Sequence, residues 1–347
     1  MTDMPLQPAS LEIPERPFGR VVRSVFGYAL LMAFMFFPPV IVFMPAAIFH
    51  CGIRNGRRAT WLALTIGSII GIALGVLTAH QPGATIGEIR LTYAYLASTL
   101  FALALPAMLA LPLIERSASF GKVLVTAMLI IIPGLAATEF GARTFLGVSP
   151  YADQLAQTAQ FKGEVLAYYQ RTPGFPPEAV DAARRGLDMA SKVVACGPVI
   201  MFSVFFLLSI LMFGRLRAWR EFVRTREVSQ LSTVYLFRNF SLPEWLLFAF
   251  VISGLAPLAT GLLQKVAANV LVVVLFLYLL QGLAIFRSLL VAVGINGIGL
   301  LFAFVLLGFL TLTGIAPILL TIAGLFDSFF DFRKFKRKDD SNESHTD

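Results

Sequence analysis

The chain has 347 residues, of which 57% are hydrophobic and 14% charged, with a formal net charge of +8 and a mean hydropathy of +0.79. No soluble core can use that much apolar surface, which excludes an ordinary soluble domain. The excess of base points away from nucleic acid, because Lys and Arg sit at the ends of apolar stretches, where they retain membrane-protein loops on one side.

Residues 1–20, with Arg16 and Arg20, read as a disordered cytoplasmic segment. Val25 to Phe49 is an apolar run of 25 residues interrupted by Pro38, Pro39 and Pro45. Adjacent prolines remove two backbone donors and clash with the preceding turn, so the run reads as a hairpin broken at Pro38 in preference to one tilted span. A hairpin returns Arg54, Arg57 and Arg58 to the side of Arg16, Arg20 and Arg23. Glu12 and Glu15 ahead of the run speak against a cleaved signal peptide.

Six further stretches follow: Ala59 to Ala79, Leu91 to Ile114, Val123 to Phe140, Val193 to Gly214, Leu246 to Leu263 and Ala267 to Phe286. Each comes near the roughly 20 residues needed to cross a hydrocarbon core about 30 Å thick. In the first, Ala59, Ala63, Gly67, Gly71, Gly75 and Ala79 recur every four residues. That stripe of small side chains suits close helix packing, within the bundle or against a partner protein.

Residues 141–192 are the longest piece between spans. Ser149-Pro150 opens a helix through about Gln170, and Val180, Ala183, Leu187, Ala190 and Val194 mark a second, amphipathic one. Its other face carries Asp181, Arg184, Arg185, Asp188 and Lys192 at pairing distance along the helix. Together they read as an extracytoplasmic lid or gate over the bundle. Residues 215–241 form a basic cytoplasmic loop, ending in a capping-box pattern at Ser241 and Glu244 with Trp245 at headgroup depth. Ser288 to Leu325, 38 residues bounded by Arg287 and the Arg333–Lys338 cluster, divides into two spans at Gly314 and Pro317. Residues 336–347 are a disordered tail, basic and then acidic.

The fold expected is therefore all-α, a polytopic transmembrane bundle over residues 21–335 with about eight to ten spans. This topology puts 20 of the 28 Lys and Arg on the inner side, with both termini cytoplasmic in a bacterial inner membrane.

Polar side chains inside spans are costly and face a cavity or a partner. Glu139 and Arg143 lie four apart near the outer end of their span and suit a local ion pair or a ligand. Asn269 is followed by Gln281 about 18 Å deeper on the same helix. Tyr278 shares the neighbourhood of Gln281, and Asn296 falls near the middle of the next span. These six are the candidates for a ligand-binding lining, and Gly67, Gly71 and Gly75 those for helix or partner packing. Asp327 and Asp331, one turn apart, are placed to accept bonds from Arg238 or Arg287 as a cytoplasmic charge lock. The basic tail suits anionic lipid.

No Gly-x-x-x-x-Gly-Lys-Ser/Thr loop and no His-Glu-x-x-His motif occurs, and His50, His80 and His345 are dispersed. The expectation is a non-enzyme with no cofactor and no metal, its partners being the bilayer and a membrane or ATPase protein. Phe237-Arg238-Asn239-Phe240, Pro243-Glu244-Trp245, Ala268-Asn269-Val270, Tyr278-Leu279-Leu280-Gln281-Gly282 and Gly324 to Lys334 carry a resemblance over residues 190–335. In these the chain resembles the YybS-like family of bacterial polytopic membrane proteins, to which no established activity attaches. That family is itself similar to the substrate-binding components of energy-coupling-factor transporters, whose bundles capture vitamins or metals and depend on separate ATPases. The resemblance implies a substrate-capture component; a scaffold for envelope or cell-division assembly is the alternative.

Overall fold

In hydrocarbon every backbone N–H and C=O needs a partner from its own segment, and helices meet that demand. The computed structural model describes residues 18–37, 39–80, 82–172, 176–225, 234–255, 258, 260–311 and 314–330, and these contain helices and turns with no strand. Arg16, Pro38, Asp331 and the Arg333–Lys338 cluster lie outside the described residues. In chain order the α-helices are α1 (Phe18–Phe34), α2 (Met44–Asn55), α3 (Arg57–Ala79), α4 (Ile86–Thr99), α5 (Leu105–Glu115), α6 (Phe120–Gly141), α7 (Pro150–Arg171), α8 (Pro177–Lys192), α9 (Cys196–Phe213), α10 (Arg217–Thr225), α11 (Leu246–Gly254), α12 (Gly261–Ala292), α13 (Ile298–Thr311) and α14 (Ile315–Phe330).

Among the described residues five helices are long and apolar enough to cross a membrane: α3, α4 continued into α5, α6 continued to Leu146, α9 and α12. The pair α13 and α14 would make a sixth, but they meet at 112°. The other apolar segments are shorter, so the expected eight to ten spans resolve into five full-length helices and a set of shorter ones.

Two boundaries differ from expectation. Leu246 to Leu263 is not one span: α11 ends at Gly254, ahead of the helix-breaking Pro257, and α12 starts afresh at Gly261 with a φ of +64°. The capping box at Ser241 and Glu244 does not form, and α11 begins after Trp245 with no side-chain cap. Residues 241–243 are instead held as a strap, with the Leu242 N–H bonded to Gln281 and the Ser241 backbone lying on Gly121. A capping box does form where α4 starts, between Thr85 and Glu88.

α1 and α2 make the expected hairpin. Ser24 and Asn55, at its open end, are 3.1 Å apart, and the Tyr28 hydroxyl meets His50 Nδ1 at 2.5 Å. α2 is only about 18 Å long, and Met44 to Phe49 are buried throughout, enclosed by α3, α5 and α9. One core runs through α1, α2, α5, α6 and α9, closed at one end by an aromatic group in which Phe120, Phe213, Trp219, Tyr235 and Phe240 stand edge-on or tilted.

Contacts between helix ends sort the molecule into two poles. Ser24 with Asn55, Arg57 with Glu115, Tyr235 with the Ala118 carbonyl and Ser241 against Gly121 define an arginine-rich pole. At the opposite pole Glu139 meets Ser149, Tyr95 meets Asp153 and Gly197 faces Gln154, so the α7–α8 pair lies over that end.

Candidate functional site

The six candidates for a polar lining do not come together. Glu139 is engaged in holding the start of α7: its carboxylate pairs with Arg143, accepts from the Ser149 hydroxyl, and accepts from the Tyr151 backbone N–H at 3.0 Å. Ser149 in turn caps α7 by accepting from the Ala152 N–H at 3.0 Å. Asn269 donates to the Lys265 carbonyl of its own helix at 2.8 Å. Asn296 is not in a span but in the exposed turn between α12 and α13, where Gly294 and Gly297 both have positive φ. These two glycines bound the turn, since left-handed backbone closes a helix.

Tyr278 and Gln281 sit together at the far pole of α12. Gln281 is 2% exposed; its Oε1 accepts from the Leu242 N–H at 3.1 Å and its Nε2 donates to Asp327 Oδ2 at 3.0 Å. It therefore joins the strap before α11 to α14. The Tyr278 ring packs edge-on to Phe250 at 6.0 Å. α12 and α14 cross at Gly282 and Gly324, so closely that a Cβ on Gly282 would lie 1.9 Å from the Leu320 carbonyl oxygen and one on Gly324 2.0 Å from that of Tyr278. Asp327 receives an amide from Gln281, Arg287 has Arg215 and Arg238 as charged neighbours, and Asp331 is outside the described residues.

The small-residue stripe faces inward. A Cβ on Gly67 would meet the Ala29 carbonyl oxygen at 2.6 Å, one on Gly71 the Phe36 ring at 2.5 Å and one on Gly75 the Leu96 side chain at 2.6 Å. Gly67 and Gly71 thus seat α1 and the turn after it, and Gly75 seats α4. Across the lid, the Asp188 carboxylate of α8 pairs with Lys162 of α7.

A groove of about 360 Å³ lies between α3 and the junction of α4 with α5, half open to the surroundings. Trp61, Ile69, Ile72, Leu100, Phe101 and Leu105 line it, together with Thr65 and Ser68. The Ser68 hydroxyl is buried there with no hydrogen-bond partner among the described residues. Its wall is shaped by a π-helical turn at Leu100–Ala104. Pro106 explains that turn: it has no N–H for the Ala102 carbonyl and its ring would clash with it, so the helix widens just before the proline. The displaced Phe101 carbonyl is accommodated by Gly134 of α6, where a Cβ would stand 2.4 Å from it. The sequence signal was Pro106, the first of two prolines in the apolar span Leu91 to Ile114. The groove itself left none, because its residues are the same apolar types as every lipid-facing position.

Residues 25–328 match the family described as "Predicted membrane protein (DUF2232)". The chain belongs to this family. The match runs through both halves of the DUF2232 chain, whereas the resemblance legible in short motifs was confined to residues 190–335. With five to six helices able to span a bilayer, it is a multi-pass membrane protein. No curated protein and no solved structure matches it.

Proposed function

We propose that this protein is a non-enzymatic capture component for an amphiphilic small molecule, working in a bacterial inner membrane with a separate energising partner. The lateral groove carries the reading. It is apolar, it opens on the flank of α3 and α4, and its wall holds one buried hydroxyl, Ser68, with a donor and acceptor to offer. A buried polar group without a partner costs about 1–3 kcal/mol, which a ligand hydroxyl or carbonyl in the groove would recover. The polar residues first considered for a ligand are engaged in the structure or sit apart, which favours an apolar ligand over a polar one. The resemblance to YybS-like proteins, and their likeness to substrate-binding transport components, supports the same reading at the level of fold. The absence of a phosphate-cradling loop from the sequence is why an ATPase partner enters the proposal. The bias of arginine to one pole favours placing both termini in the cytoplasm.

The test is purification in mild detergent followed by mass spectrometry of extracted small molecules. Wild-type protein should carry an amphiphile that Ile72→Trp, which fills the groove, removes at unchanged protein level. Identical extracts from both would remove the groove from the function.

A scaffold role has one observation in its favour: α10 buries Trp219 in the aromatic group while Arg217 and Arg220 are exposed, presenting a charged face at the arginine-rich pole. If the scaffold reading holds, Arg217→Glu with Arg220→Glu strips co-purifying proteins while Ile72→Trp is silent.

A further inference from the structure

We propose that the groove beside α3 holds one unsaturated chain of an anionic phospholipid from the leaflet at the arginine-rich pole, with the lipid phosphate against Arg58. This names the ligand class of the capture site and rests on the capture reading.

The groove takes its direction from its α3 wall. Trp61, Thr65, Ser68 and Ile72 recur at intervals of three and four residues, so they share one face of α3, and Arg58 stands one turn before Trp61 on that face. Arg57 begins the helix at the arginine-rich pole, where it pairs with Glu115 at the end of α5. From that level the groove starts at Trp61, about 6 Å in, and ends at Ile72, about 22 Å in. Its other wall keeps the same register, since Leu105, on the antiparallel α5, is about 15 Å from Glu115. The groove is thus about 16 Å long, which matches one leaflet of a hydrocarbon core about 30 Å thick.

A volume of about 360 Å³ is at the low end for a small-molecule site, so it suits one chain and leaves the second chain of a diacyl lipid in the bilayer. At the mouth, Arg58 is exposed and makes no ion pair among the described residues, whereas Arg57 is taken by Glu115. A guanidinium one turn above a half-exposed tryptophan, the residue type that marks headgroup depth, matches a lipid phosphate and can bind it bidentately. Ser68 selects the chain. Thr60 and Thr65 of the same helix donate their hydroxyls to the carbonyl four residues back at 2.9 Å, but the Ser68 hydroxyl, on a side chain 7% exposed, has no partner among the described residues. It lies about 15 Å deeper than Arg58, at the level of the middle of a lipid chain. A saturated chain offers it nothing, while a double bond at that depth presents a π face as a weak acceptor.

The melting temperature of the full-length protein in a neutral detergent, followed as oleoyl lysophosphatidic acid is added, provides the test. Wild-type protein should show a saturable rise, and Arg58→Gln should increase the half-saturating concentration about tenfold. Arg217→Gln, at another exposed arginine of the same pole, should leave it unchanged. The stearoyl analogue, which lacks the double bond, should need a higher concentration than the oleoyl form, and Ser68→Ala should abolish that difference. Ile72→Trp should remove the response altogether, with Ile69→Trp, at an exposed position of the same wall, standing in if that variant does not fold. A response unchanged by Arg58→Gln or by filling the groove, an equal response to monoolein, which has no phosphate, or equal affinity for the two chains overturns the proposal. If Ile72→Trp nevertheless strips the co-purifying amphiphile, capture in the groove survives with a different ligand; if it strips nothing, the capture reading falls as well.

Discussion

At the scale of single residues the most exacting positions carry no side chain at all. Gly324→Ala would drive a Cβ into the Tyr278 carbonyl oxygen, a backbone atom that cannot swing aside. We expect a loss of about 1–3 kcal/mol, read as a lower denaturant midpoint in detergent. Gly27→Ala, where a new Cβ meets nothing within 4 Å, should be neutral or stabilising by up to about 1 kcal/mol. Gln281→Leu strands the Leu242 N–H and removes one bond to the Asp327 carboxylate, and should cost about 1–3 kcal/mol. A double-mutant cycle with Asp327→Asn should show coupling. Tyr235 gives a pH signature: burial pushes its phenol above the ordinary value of about 10. Below that value the phenol is protonated in both states and contributes no slope. Above it the unfolded chain releases the proton first, so stability falls as pH rises towards the folded value. Tyr235→Phe should flatten this alkaline limb in melting curves, at the cost of the bond to the Ala118 carbonyl.

At the scale of elements, periodicity and punctuation were readable and tertiary partners were not. Ser149-Pro150 announced α7, the small-residue stripe announced a close-packed α3, and Pro38-Pro39 announced the break after α1, because each is a local rule of backbone chemistry. The same rules failed at Ser241, where the competing bond to Gln281, some forty residues away in sequence, holds the strap extended. They failed again over Asn296, where Gly294 and Gly297 stop a helix in a stretch whose hydropathy continues unchanged. The crossing of α12 and α14 was invisible for a related reason: Gly282 and Gly324 are isolated glycines, and nothing local says that they face each other. The lid follows from Glu139. Glu139→Gln keeps the shape but removes the charge that binds Arg143 and the Tyr151 N–H, and it should raise hydrogen exchange over the first turns of α7 while leaving α9 unaffected.

At the scale of the whole molecule, packing is uneven. The central helices share one core, whereas α13 buries only Leu307 among its residues and the first turns of α12 are exposed on all sides. In a bilayer such faces are satisfied by lipid tails, which are as apolar as leucine, so association there rests on shape and on the crossing of α12 and α14 at Gly282 and Gly324. Surface charge adds little. The ion pair of Arg57 and Glu115 joins α3 to α5 at the arginine-rich pole, but Arg57 is half exposed, and Arg57→Ala should cost no more than about 1 kcal/mol, read in the same denaturant titration.

The α1–α2 hairpin also sets an order of events. The Val42 carbonyl, in the bend between its two arms, is bonded by the Ser209 hydroxyl of α9, 167 positions further along the chain. At ordinary rates of translation, α9 follows the hairpin by on the order of 10–30 s. During that interval the bend has no α9 donor, and a short helix such as α2, about 18 Å long, cannot by itself span the hydrocarbon. The hairpin bend and the arm that follows it therefore gain their α9 contacts only once α9 has been made, which ties the final seating of α2 to a helix far downstream in the chain.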